Sequence, residues 1–72
     1  MAAPIVVYPP DEDGGRRVRA RGAILGRAYG TADLLEFLRR AGMNPDEVTL
    51  DDPELIEWRG GGPDVWQPGN AA

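Results

Sequence analysis

The first third of the chain alternates between short apolar runs and segments rich in strand-breaking residues. The run PIVVY (4–8) is largely β-branched, and the following PPDEDGG (9–15) combines proline, aspartate and glycine. This order predicts a strand and then a loop. In RRVRA (16–20) charged and small apolar residues alternate, which predicts a second strand. An extended chain places alternate residues on opposite sides: Arg17, Arg19 and Arg21 against Val18, Ala20 and Gly22.

Three glycines spaced by four residues divide the next segment. A helix containing them would lose about 1 kcal/mol at each one relative to alanine. We therefore interpret Gly22 as part of a tight Arg21-Gly22 turn, because glycine accepts a positive φ. AILGRAY (23–29) then forms the second strand of a hairpin, Gly26 marks a bulge or a close-packing position, and Gly30 marks a helix entry.

The segment TADLLEFLRRAG (31–42) has the clearest helical pattern in the chain. We expect Thr31 to cap its N-terminus through the hydroxyl group and Gly42 to end it as the C′ residue. Its apolar residues form one broad face that the sheet is expected to cover. These residues are Leu34, Leu35, Phe37, Leu38 and Ala41.

The last third begins with a second helix start signal. NPDE (44–47) predicts one or two helical turns with Asn44 as the cap. LIEWRG (55–60) predicts a last strand, although Asp52 capping a helical turn led by Pro53 is an alternative. Residues 61–72 are rich in glycine and proline and predict a tail that is disordered unless Trp66 folds back onto the domain.

These elements predict a small α+β domain over residues 1–60, followed by the tail 61–72. A short antiparallel β-sheet packs against one amphipathic helix. A chain of 72 residues buries only about 60% of its unfolded surface, so the core is expected to be small. The predicted core residues are Ile5, Val7, Val18, Ile24, Leu34, Leu35, Leu38, Val48, Leu50, Ile56 and Trp58.

Composition restricts the chemistry available to this chain. It contains no histidine, cysteine, serine or lysine. It therefore lacks the usual nucleophiles, the usual general base near neutral pH and the thiol or imidazole ligands of a structural zinc site. We expect no enzymatic activity and no catalytic residue, cofactor or metal site.

Two acidic clusters have alternative interpretations as cation sites. DEDGG (11–15) resembles the start of a calcium loop, but Gly15 and Gly22 stand where such a loop needs ligands. The acidic residues within 46–54 are interpreted as helix caps and a solvated rim, with weak binding of a divalent cation as the alternative.

The hairpin region 16–27 contains five arginines that form a candidate binding surface. Guanidinium groups on a β-ribbon can bind phosphates, and Tyr29 can stack on a base. The alternative is a solvated outer face that the carboxylates of residues 11–13 neutralise. The net charge of −4 favours this alternative, because nucleic-acid-binding domains are normally basic. The arginines are Arg16, Arg17, Arg19, Arg21 and Arg27.

The two tryptophans have different expected roles. Trp58 lies in an apolar run and is expected in the core. Trp66 and its neighbour Val65 stand in the Gly/Pro-rich segment, where a large aromatic residue needs either the domain or a partner to pack against. Both interpretations of Trp66 stay open.

Two stretches of the chain and its composition resemble a group of small uncharacterised actinobacterial proteins. The stretches are GRRVRARGAILGRAYGTADLLEFLRRAG (15–42) and LDDPELIEWRGGGPDVW (50–66), and the composition is of a GC-rich style, rich in alanine, glycine, proline and arginine. The resemblance extends from Ile5 to Trp66 and implies no activity or functional residue. It does imply that WRGGGPDVW (58–66) belongs to the pattern of the domain and that Trp66 is ordered.

The sequence therefore favours a non-enzymatic binding or adaptor protein that acts through protein–protein contacts, with a protein partner or self-association. Val65 and Trp66 are its candidate contact residues. The alternative is a small nucleic-acid-binding regulator that uses the hairpin. No run approaches the roughly 20 apolar residues that cross a bilayer, so we expect a cytoplasmic location and no membrane contact. The candidate residues of the alternative are Arg17, Arg19, Arg21, Arg27 and Tyr29.

Overall fold

A computed structural model describes residues 3–67 of the chain. A four-stranded sheet and one helix form a single α+β domain, which confirms the predicted fold class. The elements in chain order are β1 (Ile5–Pro10), β2 (Arg16–Ala20), β3 (Ala23–Ala28), α1 (Thr31–Arg40), a 3₁₀ turn (Pro45–Glu47) and β4 (Ile56–Trp58).

The β2–β3 hairpin contains the predicted two-residue turn. Ala20 pairs with Ala23, and the turn residues Arg21 and Gly22 have φ angles of 52° and 87°. Two consecutive positive φ angles are typical of a type I′ turn, whose twist matches that of the strands it joins. The sequence RG therefore fixes the register of the hairpin.

The sheet has the strand order β3-β2-β1-β4 and is mixed, whereas the sequence predicted an antiparallel sheet. β1 is antiparallel to β2, but it is parallel to β4, with Ile5 opposite Ile56 and Val7 opposite Trp58. The parallel pairing arises because the helix carries the chain from the end of β3 back across the sheet. β4 therefore starts at the same end of the sheet as β1.

Helix α1 begins one residue earlier than predicted, because Thr31 was expected to be its N-cap. Gly30 occupies the N-cap and Thr31 is the first helical residue, so no side chain caps the helix. The Asp33 carboxylate instead accepts a hydrogen bond from the Tyr29 N–H at 3.0 Å. At the other end Gly42 has a φ of 95°, and the Met43 N–H donates to the Leu38 carbonyl oxygen at 2.9 Å, as in a Schellman motif.

The core lies between the helix and the sheet. Ile24 was predicted to belong to it but is 65% exposed. Val18 pairs with Gly26 and Arg19 pairs with Ile24, so Leu25 is an extra residue that forms a bulge. This bulge turns Ile24 to the side of Arg19, away from the helix. The fully buried apolar residues are Ile5, Val7, Val18, Ala28, Leu34, Leu38 and Ile56.

The segment after β4 packs against the domain. A side chain on Gly60 would bring its Cβ to 2.7 Å from the Pro9 Cβ, and the Gly15 N–H donates to the Trp66 carbonyl oxygen at 2.9 Å. Residues 61–67, which the sequence assigned to a tail, are thus in contact with the β1–β2 loop. The rest of the predicted tail, 68–72, lies outside the described residues.

Candidate functional site

The sheet has one face that the helix does not cover, which we call the outer face. Cross-strand pairing places the side chains of β1, β2 and β3 on it: Val6 is opposite Arg19, Arg17 is opposite Arg27, and Arg19 is opposite Ile24. Tyr8 and Tyr29 follow the same alternation. The outer face consists of Val6, Tyr8, Arg17, Arg19, Ile24, Arg27 and Tyr29, together with Glu57, which lies opposite Val6, and Arg59 at the β4 edge.

Tyr8 stands on the central strand β1 and is flanked by two guanidinium groups. The Cζ atom of Arg19 is 5.8 Å from the centroid of the Tyr8 ring, and the Cζ atom of Arg59 is 5.2 Å from it. Contacts at these distances are typical of cation–π attraction. Arg59 is itself paired with Glu57. The Tyr8 ring therefore orders two cations beside an open surface.

Asp11 orders two further arginines from the loop after β1. Its Oδ2 atom is 3.0 Å from Arg27 Nη2 and 3.8 Å from Arg17 Nε. A hydrogen bond that Arg27 donates to the Tyr29 side chain and the charge of Asp11 raise the pKa of Arg27 above its ordinary value. Asp11 therefore partly neutralises the arginines of the hairpin, as expected of the 11–13 loop. The same carboxylate also positions the Arg27 guanidinium.

Two apolar side chains of the outer face project into solvent. Ile24 is 65% exposed and Tyr29 is 58% exposed. Between Ile24 and the Pro9–Pro10 end of β1 lies an open hollow of about 470 Å³. Its lining residues are Tyr8, Pro9, Pro10, Asp11, Arg17, Val18, Arg19 and Ile24.

Charge is unevenly distributed over the molecule. Within residues 3–67, no carboxylate lies within ion-pair distance of Arg19 or Arg21. The acidic residues lie mainly in the helix and in the segment between it and β4. The outer face is therefore locally cationic although the net charge is −4.

Arg16, which the sequence analysis grouped with the surface arginines, is completely buried. Each of its five N–H groups donates to a backbone carbonyl oxygen, which uses every donor of the guanidinium. Burial lowers its pKa below the ordinary arginine value, but the group remains charged at neutral pH because arginine is effectively always protonated. The acceptors, at 2.7 to 2.8 Å, belong to Tyr8, Arg59, Gly61, Gly62 and Val65.

The alternation in RRVRA contained the signal for this placement. Arg16 has the same parity as Val18 and Ala20, whereas Arg17 and Arg19 have the opposite one. Strand periodicity therefore directs Arg16 toward the helix side of the sheet, where backbone carbonyl oxygens and the rings of Trp58 and Trp66 compensate its charge. Arg16 is therefore not part of the candidate binding surface of the hairpin.

Val65 and Trp66, the candidate residues for a protein contact, are both half-buried beside Arg16. The Trp66 ring meets the Trp58 ring edge to face, with centroids 6.0 Å apart, and the Arg16 Cζ is 5.7 Å from the Trp66 centroid. The Trp66 Nε1–H donates to the Pro63 carbonyl oxygen at 2.6 Å. Of the two interpretations of Trp66, packing on its own domain is the one observed.

Sequence reasoning missed Tyr8, Ile24 and Arg59 as residues of this surface. Tyr8 follows the buried Val7 in the strand, so the alternation of β1 is a sufficient signal for its place on the outer face. Ile24 depends on the bulge, and Arg59 depends on β4 lying beside β1. Neither feature has a signal that can be recognised in the sequence alone.

Comparisons with known proteins give no match. No protein-family model fits the chain, and it shows no significant similarity to a curated protein or to a solved structure. Over residues 3–67, no helix is long and apolar enough to cross a membrane, and no three carboxylates are grouped to hold a metal ion.

Proposed function

We propose that the chain is a non-enzymatic binding module and that its outer face binds an anionic partner. The observation that supports the proposal is the grouping of Arg17, Arg19 and Arg27 with the exposed Ile24 and Tyr29 on one face of the sheet. Charged and aromatic residues exposed together are common where proteins bind partners. A cytoplasmic location is part of the same proposal.

The proposal moves the contact surface away from Trp66. A partner contact was expected there because a large aromatic residue in a Gly/Pro-rich segment needs something to pack against. The Trp58 ring and the Arg16 guanidinium meet that need within the domain. The outer face keeps its aromatic and cationic groups available to a partner.

An NMR titration tests the proposal. Labelled protein is titrated at low salt with a polyglutamate peptide and, separately, with an oligothymidine of equal charge. We expect at least one polymer to shift the amide signals of β2 and β3 and to leave those of Leu34 and Leu38 in place. Binding should weaken as salt rises, since arginines that contact an anionic polymer displace its counterions.

Two double variants make the test specific. Arg17→Ala with Arg19→Ala removes two charges from the outer face, and Arg39→Ala with Arg40→Ala removes two from the exposed side of the helix. Only the first should weaken binding. Equal loss in both variants, or no shift with either polymer, contradicts the proposal.

A further inference from the structure

The outer face combines cations with exposed aromatic and aliphatic surface, and this combination discriminates between anionic partners. A purely acidic peptide would engage the guanidinium groups but would leave Ile24 and Tyr29 unused. A nucleic acid supplies phosphates that bind the guanidinium groups and planar bases that pack on Ile24 and Tyr29. Tyr29 is 58% exposed, and its hydroxyl oxygen accepts a hydrogen bond from Arg27.

The position of the aromatic rings on a sheet also distinguishes single strands from duplexes. Tyr8 lies on central strand β1, and Tyr29 directly follows edge strand β3. Both belong to the open face, which can accept splayed bases. In a duplex the faces of the bases are already stacked on each other, so rings on a sheet surface cannot reach them.

The cations border these rings in an ordered arrangement. Arg19 and Arg59 flank Tyr8, while Asp11 pairs with Arg27 at 3.0 Å and lies 3.8 Å from Arg17. Side chains that are already held in place lose less conformational entropy when a ligand binds. Phosphates of an extended strand can therefore follow β2 while a base lies over the exposed Tyr29 ring.

We infer that the anionic partner is a single-stranded nucleic acid, bound along β2 by Arg17 and Arg19 with a base stacked on Tyr29. The inference rests on the proposed function. It predicts modest affinity with a strong dependence on salt, because the net charge of −4 repels a polyanion at long range while the local cations attract it.

The test is a fluorescence-anisotropy titration of the full chain at low salt with three probes. They are an oligothymidine of about a dozen nucleotides, within the range of known single-strand sites, its duplex with oligoadenosine, and a polyglutamate peptide of equal charge. We expect the single strand to bind most tightly. Tyr29→Ala should weaken its binding about fivefold or more through loss of stacking, whereas Tyr29→Phe should stay within about twofold.

Each other outcome is decisive. Tightest binding of the peptide overturns the inference and leaves the proposed function intact, and tightest binding of the duplex does the same. Equal effects of Tyr29→Ala and Tyr29→Phe also overturn it, because the ring would then have no role. If none of the three probes binds, both the inference and the proposed function fail.

Discussion

The guanidinium of Arg16 donates a hydrogen bond to the carbonyl oxygen of Val65, 49 residues further along the chain, at 2.8 Å. This contact joins the first residue of β2 to the segment after β4. The buried guanidinium is stabilised by carbonyl dipoles and by two indole rings. Its Cζ atom is 5.1 Å from the Trp58 centroid and 5.7 Å from the Trp66 centroid. Arg16 is thus a structural residue, and the proposed binding surface begins at Arg17.

Replacing Arg16 should destabilise the fold severely. Arg16→Ala leaves five carbonyl oxygens without their donor, and we expect the free energy of unfolding to fall by at least about 3 kcal/mol. A chain of this length has a total stability of only about 4 to 10 kcal/mol. Urea denaturation followed by tryptophan fluorescence measures the loss.

Arg17 provides the matched control for that experiment. It is the next residue along the strand, but its side chain is 64% exposed. Arg17→Ala should change the free energy of unfolding by less than about 0.5 kcal/mol. Similar losses in the two variants would contradict the assignment of Arg16 to the interior.

Truncation should show that the domain extends beyond residue 60. A chain ending at Gly60 lacks the carbonyl acceptors of Gly61, Gly62 and Val65 and also the Trp66 ring. We expect it to be largely unfolded by circular dichroism. A chain ending at Gln67 retains all of these groups and should unfold cooperatively at a defined urea concentration. Cooperative unfolding of the shorter chain at that same concentration would contradict this boundary.

Neighbouring glycines in the same segment should respond differently to alanine. Gly60 has a φ of 79°, and an added Cβ would lie 2.7 Å from the Pro9 side chain. Gly60→Ala should therefore cost about 2 kcal/mol or more through backbone strain and overlap. Gly62 has open space around it, so Gly62→Ala should stay within about 0.5 kcal/mol. Thermal unfolding of the two variants compares them, and a greater loss in Gly62→Ala would reject this description.

The helix surface should carry a detectable dependence on pH. Hydrogen bonding from Arg39 lowers the pKa of Glu36 from its ordinary value of 4.5. Because the pKa is lower in the folded state, Glu36 contributes stability above pH 4.5, and that contribution is lost as the pH falls through the folded pKa. An NMR titration of the Glu36 carboxyl should give a midpoint below 4.5. Arg39→Ala should raise the midpoint more than Arg40→Ala, and an unchanged midpoint in Arg39→Ala would contradict the assigned cause.

Local patterns predicted most of the elements of this fold. Interactions between neighbouring residues specify three of these features. They are the alternation in RRVRA, the Arg21-Gly22 turn and Gly42 at the end of helix α1. The same local reasoning was wrong about the N-cap. Thr31 was expected there, but the chain enters the helix at Gly30 and Asp33 supplies the nearby acceptor.

Features that depend on distant residues were not predictable in the same way. The parallel pairing of β4 with β1 follows from the path of the helix, and the position of Ile24 follows from a bulge opposite β2. The burial of Arg16 requires carbonyl oxygens from residues 59–65, which no spacing in the sequence connects to it. The proposed binding surface was consequently predicted in part, with Arg17, Arg19, Arg27 and Tyr29 but without Ile24 and Arg59. Tyr8 was also missed, although its alternation with the buried Val7 indicates the outer face.

The salt dependence of oligothymidine binding tests the role of the outer face most directly. Each phosphate contact on a single strand contributes a slope of about −0.7 to the plot of log affinity against log salt concentration. Arg17→Ala with Arg19→Ala should therefore make the slope shallower by about 1.4, while Arg39→Ala with Arg40→Ala should leave it unchanged. An unchanged slope in the first variant, or an equal change in both, would contradict binding through the outer face.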